Sequence, residues 1–332
     1  MAPYPWQREQ WTLLRARAGA RRLAHGLLFS GPAGTGKGDF ARAFATALLC
    51  RQPAADGQSC GGCEACLLVR AGTHPDLLQI APPEDKTQIV IDQIRELCRA
   101  LGLKSHAGGY QVALVAPADQ MNTAAANSLL KTLEEPTDNT LLILLTDQPM
   151  RLPATIRSRC QHVRFPAPSL TIGRTWLEAR GEYGADAEGL LRLADRAPLR
   201  AVKLMDSGIV RERSAWLDRL LAVRRRQEDP IATAAAWADD AEMRPLYWWG
   251  RFLADCVRLG SGRDASLLQN SDLADRLQTL GTTMTPVESH EWLTRIWQDY
   301  RLALQTSANR PLLMEALLIE WSRGPRARQA TP

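Results

Sequence analysis

Apolar positions follow two rhythms along the chain, and the rhythm changes near residue 165. Leu27–Ser30, Gln111–Val115 and Leu141–Leu145 are short, nearly continuous apolar runs, as expected of strands buried on both faces of a parallel sheet. Helical spacing fills the intervals. Trp6–His25 carries Trp11, Leu13, Leu14, Ala18 and Leu23 at that spacing, and Asp39–Leu49 has the same character. Ile89–Leu101 places Ile91, Ile94, Leu97 and Cys98 on one face, and Thr123–Glu135 reads as a helix that Pro136 stops. This alternation over residues 1–165 predicts an α/β domain with a parallel sheet. Beyond Phe165-Pro166-Ala167-Pro168 the patterns are helical only. They divide into a small unit over 166–208 and a larger all-helical domain over 209–323, followed by a tail, 324–332, expected to be flexible. Trp216, Trp237, Trp248, Trp249, Trp292, Trp297 and Trp321 all fall in the larger helical domain. Tryptophans at helical spacing predict a packed core rather than a platform for stacking bases.

Gly31-Pro32-Ala33-Gly34-Thr35-Gly36-Lys37 joins the first expected strand to the next helix and satisfies G-x-x-x-x-G-K. Gly31, Gly34 and Gly36 allow backbone N–H groups to converge on phosphates, the helix N-terminus adds positive potential, and Lys37 supplies a point charge. The next position normally carries the Ser or Thr hydroxyl that ligates Mg²⁺, and here it is Gly38. An acidic pair should then close the strand Gln111–Val115, one carboxylate for the metal and one for the attacking water. Ala116 and Pro117 occupy those positions, and Asp119 falls beyond the strand end. Such a loop can hold ATP or ADP but lacks the groups that hydrolyse it; a vestigial loop that binds nothing is the alternative.

Four of the seven cysteines crowd together as Cys50-x9-Cys60-x2-Cys63-x2-Cys66. Four thiolates complete a closed tetrahedral zinc site, which makes the expected metal structural, and Gly61 and Gly62 permit the tight turn. A ferredoxin-type iron–sulfur run shares C-x2-C-x2-C, but its following x3-C-P is missing here; clustered buried thiols are the remaining alternative. Charge adds little: 41 Lys and Arg against 36 Asp and Glu leave +5, which fits either weak attraction to anionic partners or a solvated basic surface. The N-terminus MAPYPWQREQW has no apolar signal segment, and the longest apolar run, Leu141–Leu145, is far short of a membrane span. The expectation is a cytoplasmic protein without a membrane anchor, whose reducing surroundings suit metal-binding thiols.

Asn127-Ser128-Leu129-Leu130-Lys131-Thr132-Leu133-Glu134-Glu135-Pro136, followed by Leu152-Pro153-Ala154-Thr155-Ile156-Arg157-Ser158-Arg159-Cys160, resembles the clamp-loader family of AAA+ proteins. The Ser-Arg-Cys string is the most distinctive part, and a four-cysteine module after the phosphate-loop helix is also characteristic of bacterial members. The resemblance implies an AAA+ P-loop domain (1–165) with a zinc insertion (50–66), a helical lid (166–208) and an all-α collar (209–323). The motor subunits, gamma and tau, carry Thr or Ser, Asp and Glu where this chain has Gly38, Ala116 and Pro117; the chain is similar instead to the delta-prime branch. That likeness implies a subunit without ATPase activity of its own, working within the DNA polymerase III holoenzyme, a DNA-directed DNA polymerase. Its implied partners are gamma/tau motor and delta subunits in a hetero-oligomeric ring, with the sliding clamp and primed DNA met through the complex. Residue by residue, it implies that Arg159 is an arginine finger for a neighbour's nucleotide. Thr146 takes the sensor-one place, and Arg200, within Asp195–Val202, takes the sensor-two place of a degenerate nucleotide site with Gly31, Gly34, Gly36 and Lys37. Two other readings compete. A hydrolysing motor subunit is opposed by residues 38, 116 and 117, and a zinc-ribbon nucleic-acid binder would need more basic residues than the single Arg70 in SCGGCEACLLVR.

Overall fold

The computed structural model describes residues 3–84, 86–181, 186–306 and 308–324. The chain divides into two compact units, Met1–Glu182 with Arg196–Arg200, and Tyr183–Asp195 with Ala201–Pro332. The first is built on five parallel strands, β1 (Gly26–Ser30), β2 (Leu77–Ile80), β3 (Gln111–Val115), β4 (Thr140–Thr146) and β5 (Gln161–Arg164), in the order β2-β3-β4-β1-β5. β1, β3 and β4 are buried at every position. Successive side chains of a strand point to opposite faces, so Leu27 and Phe29 pack with one layer and Leu28 with the other. On one face lie α1 (Arg8–Gly19) and α2 (Lys37–Leu49), which contribute Trp11, Leu14, Phe40 and Phe44. On the other lie α4 (Ile91–Leu101), α5 (Thr123–Glu134) and α6 (Ala154–Arg159), with Ile94, Leu97, Leu129, Leu133 and Ile156. Between these layers in sequence comes α3 (Glu64–Ala71), and α7 (Leu170–Glu178) follows β5.

The three strands expected from the apolar runs are present, and two more flank them. β2 and β5 form the edges of the sheet and mix buried with exposed positions, so neither shows an uninterrupted apolar run. Local chemistry sets the helix limits. Asn122 caps α5 by accepting from the Ala125 amide at 2.8 Å. α1 starts after a 3-10 turn at Pro5–Gln7, so the expected helix over Trp6–His25 is shorter at both ends.

The second unit is helical throughout its described residues. Its helices are α8 (Ala187–Leu193), α9 (Pro198–Asp206, which begins within the first unit), α10 (Ile209–Arg224), α11 (Pro230–Ala238), α12 (Arg244–Gly260), α13 (Ala274–Gly281), α14 (Pro286–Gln305) and α15 (Arg310–Arg323). Trp237, Trp248, Trp249 and Trp321 lie in its core, with Trp216, Trp292 and Trp297 half-buried. Trp321 donates its indole N–H to the Leu220 carbonyl at 2.8 Å, which satisfies the one polar group that its burial would otherwise strand. The tryptophans are therefore packing residues. Of the segment expected as a lid, α7 belongs to the first unit and α8 to the second. Residues 325–332 of the expected flexible tail lie outside the described residues. Among the described residues no helix is long and apolar enough to cross a membrane.

Candidate functional site

β1 delivers the chain into the phosphate loop, and α2 begins at Lys37. Three glycines of the loop, Gly31, Gly34 and Gly36, have positive φ and no room for a side chain. A Cβ on Gly34 would stand 2.5 Å from the Arg200 Cβ, and one on Gly36 would stand 2.4 Å from the Tyr4 ring. The loop is held by its own chain. Leu199 donates its amide to the Gly34 carbonyl at 3.1 Å. The Trp6 indole and the Gln7 amide both donate to the Thr35 carbonyl at 2.9 Å. Tyr4 stacks on Trp6 with ring centres 5.0 Å apart, and Trp176 of α7 meets both rings edge-on. The Tyr4 hydroxyl donates to Asp39 at 2.9 Å; burial first, and then this carboxylate, push the phenol up to about 12.

Lys37 is buried, and its Nζ donates to the Gly31 carbonyl at 3.0 Å and the Pro32 carbonyl at 3.3 Å. It also pairs with Asp147, the residue just past β4. A Cβ built on Gly38 meets nothing within 4 Å, so space for a metal-binding hydroxyl is present and only the side chain is missing. Ala116 and Pro117 stand at the end of β3 as expected, while Asp119 lies on the 3-10 turn Ala118–Gln120. There it accepts the Thr146 hydroxyl at 2.5 Å, and Thr146 in turn accepts the Gln148 amide at 2.9 Å. Thr146 sits opposite Ser30 in the parallel register, so it and the start of the phosphate loop share one end of the sheet. Tyr4, Trp6, Gln7, Asp119, Asp147 and Trp176 were not legible as a group, because their partners come from distant segments.

The four clustered cysteines meet. Cys50 caps the C-terminus of α2, Cys60 lies on the following loop, Cys63 caps α3 and Cys66 lies within it. Their sulfurs lie within 4.8 Å of one another, with separations of 3.6 Å (Cys50–Cys60), 3.9 Å (Cys50–Cys63), 3.5 Å (Cys63–Cys66) and 4.0 Å (Cys60–Cys66). Four sulfurs each ~2.3 Å from one tetrahedral ion would stand about 3.8 Å apart, so this set fits a closed site. Backbone amides of Cys60 and Cys63 donate to the Cys50 and Cys60 sulfurs, both at 3.3 Å, an arrangement that favours thiolates. The module rests on α1, where Gly57 approaches Arg15 so closely that a Cβ would stand 2.4 Å from Nε. Cys98, Cys160 and Cys256 lie elsewhere as free thiols.

Arg159 ends α6, and Cys160 alone separates it from β5. Its Nε and Nη2 contact Glu134 Oε1 at 2.8 and 2.6 Å, and Nη1 donates to the Thr155 carbonyl at 3.0 Å. The side chain remains 37% exposed. Cys160 beside it is buried and its thiol is pushed up to about 12, which makes it a core residue rather than a reactive one.

Residues 6–169 match the family model described as DNA polymerase III, delta subunit, and residues 208–323 match the model for its C-terminal part. The DNA polymerase III subunit delta' of Pseudomonas aeruginosa is 36% identical, covering 97% of this chain and 98% of that protein. That of Escherichia coli (strain K12) is 33% identical over 95% and 94%. The DNA polymerase III subunit tau of Bacillus subtilis is 32% identical, but over only 57% of this chain and 34% of its own length. Near full-length matches at this identity mean that the chain belongs to the family of DNA polymerase III delta-prime subunits.

Proposed function

We propose that the chain works as the non-hydrolysing member of a clamp loader, assembling in a ring with gamma/tau motor and delta subunits that places a sliding clamp on primed DNA in the cytoplasm. One observation carries this reading: the phosphate loop is intact through Lys37, yet Gly38, Ala116 and Pro117 supply no group for metal or water. What such a chain can offer a hydrolytic neighbour is a cation, and Arg159 stands half-exposed at the end of α6. In this reading Cys50, Cys60, Cys63 and Cys66 hold a structural zinc that ties residues 50–66 to α2. Residues 1–165 form the P-loop domain, 166–208 act as its lid and 209–323 as the collar.

The isolated protein is expected to show no ATP turnover, while mixing with motor and delta subunits yields one complex that loads clamps. Motor-like turnover by the isolated protein, abolished by Lys37→Ala, would defeat this reading. Nucleotide binding at Gly31, Gly34, Gly36 and Lys37, with Thr146 and Arg200 alongside, is expected to be weak, because an incoming phosphate must displace the Asp147 carboxylate from Lys37. A partly exposed ion pair is worth about 0–1 kcal/mol, so Asp147→Asn should tighten ADP by up to about five-fold. Titration calorimetry measures this; an unchanged or weaker affinity in the variant would remove Asp147 as the competitor.

A further inference from the structure

We infer that Glu134 is the positioning residue for Arg159, holding one edge of the guanidinium so that the other faces a neighbouring subunit's nucleotide; this rests on the finger reading above. A guanidinium presents its N–H groups in a rigid planar fork. In this structure Glu134 takes Nε and Nη2 along one edge, through a single carboxylate oxygen, and the Thr155 carbonyl takes one hydrogen of Nη1. The contact from Nη1 to the Ser158 hydroxyl is long, at 3.4 Å. The outward edge therefore keeps N–H capacity for an anion, while the inward edge and the terminal nitrogen are anchored to two different helices, α5 and α6.

The location of Glu134 supports a role beyond folding. It is the last residue of α5, where the partial negative charge of the helix end disfavours a carboxylate, and an adjacent cation is what offsets that. The pair is half-exposed on both sides, so it adds little to stability. What it does provide is order. Arg159 carries a long flexible stem, and fixing it before the nucleotide arrives removes an entropic cost from the hydrolytic step.

The experiment uses the reconstituted loader, with this chain carrying Glu134→Ala or Glu134→Gln, each with Arg159 or with Arg159→Ala. Single-turnover ATP hydrolysis is followed together with the KM for ATP and the melting temperature of the chain. The expected result is a loss of about ten-fold in rate at the one site served by Arg159. The KM for ATP and the melting temperature stay unchanged, Glu134→Gln retains an intermediate rate, and the Glu134 effect vanishes when Arg159 is already Ala. A full rate in both Glu134 variants, with Arg159→Ala slow, overturns the positioning role and leaves the finger intact. An equal loss with and without Arg159 also overturns it, since Glu134 would then act on its own. A full rate in Arg159→Ala overturns the finger reading itself.

Discussion

Protein purified without added metal is expected to carry about one zinc ion per chain, and Ser at Cys50, Cys60, Cys63 or Cys66 is expected to release it. Four of the six sulfur separations are 3.5 to 4.0 Å and all lie within 4.8 Å, which suits a single tetrahedral ion, and four thiolate donors leave no place for water or substrate. Little else would hold the segment between α2 and α3. Residues 51–62 are largely exposed, with Gly57 as the buried exception, and the apolar contribution comes from Ala65, Cys66 and Val69 of α3. Structural zinc supplies roughly 10–16 kcal/mol of apparent binding energy, far more than those side chains can replace. Loss of the ion should therefore open this segment to proteases while the sheet, with its own core, stays folded. Elemental analysis and limited proteolysis check both parts. Iron in place of zinc, or a metal-free protein with the segment fully protected, would refute the assignment.

Local strings made the central sheet and the motifs legible, and long-range pairing hid the rest. β1, β3 and β4 are buried on both faces and so appear as apolar runs, whereas β2 and β5 are sheet edges whose polar residues break the pattern. The eight-residue α3 leaves no periodic signal in the sequence, being a short helix beside a cysteine cluster with too few turns. The phosphate loop, the cysteine cluster and the Ser-Arg-Cys string are continuous in sequence, and each could be read as a unit. Their partners could not: Asp39 is 35 residues from Tyr4, Asp147 is 110 from Lys37, Asp119 is 27 from Thr146, and Glu134 is 25 from Arg159. The Lys37 and Thr146 pairs arise because parallel strands bring the ends of β1, β3 and β4 to one end of the sheet, an outcome of strand order rather than local pattern. Thr146 illustrates the gap. Its position was legible, but its hydrogen bond to Asp119 required the β3 turn to be placed beside β4.

Arg159→Ala in the reconstituted loader is expected to silence one ATP site and reduce DNA-stimulated clamp loading, with the complex still assembled. Phosphoryl transfer spreads charge over the γ-phosphoryl oxygens, and a guanidinium delivered there raises the rate roughly 10³–10⁵-fold. That range corresponds to about 4–7 kcal/mol of barrier. Lys is expected to restore little, because a compact ammonium lacks the planar fork that grips two oxygens at fixed geometry. The chain's own stability should barely change. Arg159 is 37% exposed and its pair with Glu134 is open to solvent, so removing it costs at most about 1 kcal/mol. Truncation also leaves the core untouched, since Ile156 and Cys160, not Arg159, are the buried residues at this junction. Under the proposed assembly one chain faces one neighbour through this arginine, so the other ATP sites are expected to stay active and the steady-state rate to fall only in part. Single-turnover hydrolysis resolves the silent site from the active ones, and subunit stoichiometry measured on the same preparation separates a catalytic loss from failed assembly. An intact complex that hydrolyses ATP at all sites and loads clamps at the wild-type rate would reduce Arg159 to a surface ion pair with Glu134.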